Sequence, residues 1–194
     1  MKARFNKRIF SVQSFRQAVR EMVQHMDEMR LAVRGGRVSR PFAERIMLAV
    51  TQVNGCRYCH YGHTRAALAV GVPPEDIQAL IEGDLGRLPA EEAVALTFAQ
   101  HYAESEGRPD PAAWQRLVQT YGPETARDIM AYIRMITLGN LLGNTFDALL
   151  SRLTFRSAEG SSLWQELGVL LGMFVIIPAE MLRGRAGARR STPA

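Results

Sequence analysis

Apolar residues recur at spacings of three and four along this 194-residue chain, and nowhere do they alternate with polar ones over the length of a strand. An all-α fold is therefore expected, a compact bundle of several helices cut by glycine and proline. Ser11 to Val33 carries Phe15, Val19, Met22, Met26 and Met29 on one stripe and stops at Gly35-Gly36; methionines at this spacing read as packing. Ser39 caps a second helix with Pro41 in its first turn, which ends at Asn54-Gly55. A third runs from Cys56 to Val70 and a short one from Pro73-Pro74 to Ile81. Further helices follow from Pro89 to about Tyr102, from Trp114 to Tyr121, from Gly122-Pro123 to about Leu153, and from Leu163 to Leu182. On the long helix Asn140, Asn144 and Asp147 form a polar stripe, expected to face solvent.

The length suits one domain with tails: residues 1–156 as the helical domain, then a small-residue linker at Ser157 to Ser162, an apolar helix and a basic end. The net charge of +5 is concentrated at the ends, in Lys2, Arg4, Lys7 and Arg8 and in Arg183, Arg185, Arg189 and Arg190. No nucleic-acid-binding signature accompanies it, so no nucleic-acid partner is expected. Met1 to Phe10 lacks the apolar stretch of a secretory signal, which points to the cytoplasm.

The chemistry is concentrated in Cys56-Arg57-Tyr58-Cys59-His60-Tyr61-Gly62-His63, which holds both cysteines and two of the four histidines. Two thiols three residues apart can close into a disulfide and reopen, and a nearby imidazole can take a thiol proton. On a helix these four groups share one face. Side chains at i and i+3 sit ~5–6 Å apart at Cβ, more than the ~3.5–4.5 Å of a relaxed disulfide, and so short a loop adds little stability. Redox cycling therefore explains the pair better than stapling, an inert thiol pair, or a zinc site lacking a second ligand pair. Cys56 at the helix start has the dipole and His60 one turn on; Cys59 has His63 at the same spacing. This geometry leaves open which sulfur attacks, with the helix-end argument leaning to Cys56.

Glu44, eleven intervening residues, then Cys56-x-x-Cys59-x-x-x-His63 resembles the signature of the alkylhydroperoxidase D branch of the carboxymuconolactone decarboxylase family, within a likeness from Phe42 to about Ile81. The resemblance implies an all-helical bundle assembling as a homotrimer or hexamer. It implies a thiol-dependent peroxidase whose substrate is a hydroperoxide and whose reductant is a thiol protein of thioredoxin or lipoyl type, with no metal or organic cofactor. Carried over, Cys59 becomes the peroxide-attacking thiolate, Cys56 the resolving thiol, and His63 with Glu44 the proton relay. Where the best-known member has a histidine between the cysteines, this chain has Tyr58, a poor shuttle at neutral pH, so the relay is shorter or recruits His60. The family's decarboxylase branch lacks the cysteine pair, which counts against lactone decarboxylation.

The alternative function is a redox-sensing or interaction module with a reversible disulfide at a membrane surface. Its motives are the basic ends and the last segment, where Leu167 to Ala179, bounded by Glu166 and Glu180, holds no charge. Thirteen residues are short of the ~17–25 a crossing helix needs, so packing on another subunit is the first expectation and contact with anionic lipid the second.

Overall fold

The computed structural model describes residues 5–153, 158 and 161–190, with the side chains of 185–190 left out. Lys2, Arg4, part of the 157–162 linker, the 156/157 boundary and the Arg185, Arg189 and Arg190 side chains lie outside the described residues. Among these residues the architecture is all-helical, as expected, and the packing divides the chain into two compact units, Asp27–Asn140 and Met1–Met26 with Leu141–Ala194.

The first expected helix is two, α1 (Val12–Gln24) and α2 (Met26–Gly35), separated at His25. A one-residue break leaves the apolar stripe in phase and needs no glycine or proline, so periodicity passes over it. Ser11 and Ser14 close a reciprocal cap on α1, each hydroxyl accepting the other's N–H.

In the unit Asp27–Asn140, α3 (Arg40–Asn54) is the central element, packed by α4 (Arg57–Ala69), α5 (Pro74–Glu82) and α6 (Ala93–Glu104). Ser39 caps α3 through the Phe42 N–H, and Gly55 ends it at φ +67°, where a side chain would strain the backbone. Ile46, Leu48, Ala49 and Val50 of α3 are buried, as are Ile129 and Ile133 of the long α8 (Pro123–Arg152). The helix after Pro89 starts later than expected, at Ala93, with Glu92 as its cap residue turned onto Arg45. Buried Arg45 donates to Asp76 through Nε and Nη2 (3.0 and 2.8 Å) and to Glu92 through Nη1 (3.1 Å). Burial pushes the Glu92 carboxyl above its ordinary pKa, against the pull of Arg45. The segment from α6 to α8 is bridged by α7 (Pro111–Tyr121). Asn140 is fully buried rather than solvent-facing, because its Oδ1 accepts the Thr51 hydroxyl at 3.1 Å.

In the other unit, α1, the end of α8 and α9 (Leu163–Arg190) pack together, and here too the polar stripe is interior. Asn144 donates to the Arg8 carbonyl (3.0 Å), and Asp147 pairs with Lys7 (2.9 Å). Chain directions in α1 and α9 agree: Val12 meets Gly168, Arg16 and Arg20 meet Glu180, and Val23 meets Gly184. A Cβ on Gly184 would come within 2.7 Å of Val23 Cγ1, so glycine sets how closely the two helices approach. The apolar stretch is longer than expected: Leu163–Gly184, 22 residues, is long and apolar enough by length and composition to cross a membrane.

Candidate active site

Cys56 does not lie on α4 but caps it, with extended backbone (φ −74°, ψ 104°), since the helix starts at Arg57. Its buried Sγ accepts the Cys59 N–H at 3.2 Å, so this sulfur sits where the unpaired amides and the positive end of the helix dipole favour a thiolate. Cys56 and Cys59 are joined as a disulfide with their Cα atoms 5.4 Å apart. Cys59 is half-buried, on the first turn.

The packing of α3 on α4 brings Glu44 to His63, Oε2 to Nδ1 at 2.8 Å, both side chains mostly shielded. With Glu44 ionised, Nδ1 carries the proton toward the carboxylate and Nε2 is left as the acceptor. His63 follows Cys59 by one helical turn, which puts their Cβ atoms ~5–6 Å apart. All four candidate residues, Glu44, Cys56, Cys59 and His63, therefore fall at the α3–α4 contact.

Tyr58 is turned outward: its hydroxyl accepts from Arg57 Nη2 (2.8 Å), with the guanidinium over the ring. One turn on, Tyr61 accepts from Arg65 in the same way (2.9 Å). These two pairs give α4 an exposed aromatic and cationic face. His60 lies on the other side, lining a cavity of about 290 Å³ with Thr51, Gln52, Cys56 and Ile81. Its Nε2 is buried without a partner, as is the Thr64 hydroxyl one turn on. The cavity was invisible in the sequence because it depends on how α5 meets α3.

A larger cavity, about 590 Å³, lies between α6 and α7. His101 borders it and accepts the Asp110 N–H at 3.0 Å, which gives that isolated histidine a structural use. Among the described residues no group of three or more His, Cys, Asp or Glu side chains is arranged to hold a metal ion.

No curated protein and no solved structure matches the chain. Residues 18–100 match the family model described as carboxymuconolactone decarboxylase family, a stretch that contains Glu44, Cys56, Cys59 and His63. Over residues 18–100 the chain is therefore similar to the carboxymuconolactone decarboxylase family, consistent with its alkylhydroperoxidase D-like branch.

Proposed function

We propose that the chain is a thiol-dependent peroxidase that reduces alkyl hydroperoxides or hydrogen peroxide. The observation that carries this reading is a helix-capping disulfide one turn from a histidine held by a glutamate at 2.8 Å. In the reduced protein the Cys59 thiolate attacks the outer peroxide oxygen. The O–O bond breaks, Cys59 becomes a sulfenic acid, and the alkoxide leaves with a proton passed by His63. The Cys56 sulfur then attacks the Cys59 sulfur, forming the disulfide and releasing water. An external dithiol returns two electrons and two protons, leaving as its own disulfide. Glu44 orients His63 through its Nδ1.

The reductant must reach a half-buried sulfur. The exposed face of Arg57, Tyr58, Tyr61 and Arg65 beside Cys59 has the aromatic and arginine composition of a docking surface, suited to a thiol protein with acidic groups around its own cysteines. Catalysis within a homo-oligomer, the trimer or hexamer implied by the resemblance, belongs to the same proposal.

A second reading, a redox-responsive module without peroxide turnover, is favoured by the apolar exposed face of α9. Consumption of cumene hydroperoxide with dithiothreitol as reductant tests the first against the second, because only a full cycle needs both sulfurs and regenerates the dithiol.

A further inference from the structure

Helix α9 is inverted relative to an ordinary surface helix. Glu166 is fully buried, held by Arg152 at 2.6 and 2.9 Å, and Glu180 is 4% exposed. On the opposite side Trp164, Leu171, Phe174, Val175 and Leu182 are 64–80% exposed. At 100° per residue these five fall within an arc of about 100°, and from Trp164 to Leu182 the stripe runs for about 27 Å. An apolar face of that length turned to water marks a contact surface.

Charge identifies what covers it. Residues 1–26 and 141–194 contain 12 Lys and Arg against 5 Asp and Glu, a net +7, whereas residues 27–140 contain 12 against 14, a net −2. All of the chain's excess positive charge therefore belongs to the unit that carries α9. Around Glu180 three arginines, Arg16, Arg20 and Arg183, converge on one carboxylate (3.0, 3.4 and 2.7 Å), and each is about half exposed. Residues 181–194 hold Arg183, Arg185, Arg189 and Arg190 and no acid. Pairing two copies through the stripe would bring two +7 units together. A soluble polyanion would meet the charge but leave the stripe in water. An anionic lipid surface satisfies both.

From these observations we infer that α9 is a peripheral membrane-binding helix that lays its Trp164–Leu182 stripe into an anionic lipid surface. It lies on the bilayer and does not cross it. Along the same stretch α1 packs beside α9 and exposes Gln13, Arg16, Gln17 and Arg20, whose donors beyond those taken by Glu180 and Glu21 need water, which hydrocarbon does not supply. The apolar stripe then reaches the acyl boundary, and Arg183, about 80° round α9 from the edge of the stripe and exposed, lies at headgroup level.

Co-sedimentation of the full chain with phosphatidylcholine vesicles, with and without phosphatidylglycerol, tests this. The chain binds the phosphatidylglycerol vesicles, at least about tenfold more tightly than phosphatidylcholine alone, and raised salt weakens binding. The double variant Phe174→Asp/Val175→Asp and, separately, Leu171→Asp weaken it at least about tenfold with unchanged far-UV circular dichroism, since these side chains stand outside the core. Absence of vesicle binding, equal binding to both vesicles, or wild-type binding by both variants overturns the inference. So does a wild-type oligomer that the same variants dissociate in lipid-free light scattering, which would assign the stripe to a second copy.

Discussion

Glu44 Oε2 and His63 Nδ1 meet at 2.8 Å across the packing of α3 on α4, joining residues nineteen apart in sequence. The contact fixes the ring so that Nε2 is the atom free to exchange a proton. His63→Ala therefore lowers the peroxide-reduction rate by about 10²–10⁴-fold, the usual worth of a positioned acid–base group. Glu44→Gln costs less, at least about tenfold, because a neutral amide holds the Nδ1–H, and with it the ring, less firmly than a carboxylate does. Steady-state rates of both variants check this.

Tyr58 stands between the cysteines, where the family resemblance would have a relay histidine, yet it faces outward under Arg57. Tyr58→Phe leaves turnover with dithiothreitol within about twofold of wild type, since no proton transfer depends on its hydroxyl. A loss as large as that of His63→Ala would place the tyrosine in the relay.

Arg45 is buried between Asp76 and Glu92 beneath α3. Removing one partner leaves a buried charge undercompensated, so Asp76→Ala lowers unfolding free energy by about 3 kcal/mol. Urea denaturation measures it; a change below about 1 kcal/mol would mean that Glu92 alone neutralises the guanidinium.

Glu180 has its carboxyl pKa lowered from 4.5 to about 2, first by the hydrogen bond from Arg16, with Arg20 and Arg183 adding to it. A carboxyl whose pKa is depressed by folding contributes stability that is complete above the unfolded value and lost as pH falls through the folded one. The wild type should therefore lose stability between pH 4.5 and about 2 more steeply than Glu180→Gln. Parallel losses in the two proteins would contradict the assignment.

The site was legible because its parts are local or carried by one spacing: Cys56 to His63 lies on a single turn and helix, and Glu44 lies on the helix that glycine 55 ends. The helix start was read one residue early, since a cysteine side chain capping its own helix looks the same in sequence as one inside it. Burial of polar groups was not legible. Asn140 and Asn144 read as a solvent stripe, but their partners, the Thr51 hydroxyl and the Arg8 carbonyl, are 89 and 136 residues away. Glu166 and Glu180 read as the ends of an apolar segment, whereas arginines from α1 and α8 hold them inside, and only their burial reveals which side of α9 is left to the surroundings.

The most direct test of the central claim is consumption of cumene hydroperoxide with dithiothreitol, measured side by side on wild type, Cys56→Ser and Cys59→Ser. The predicted result is sustained turnover by the wild type, none by Cys59→Ser, and at most one peroxide consumed per chain by Cys56→Ser. Sustained turnover in either variant, or reversible closing of the wild-type disulfide without turnover, would contradict it.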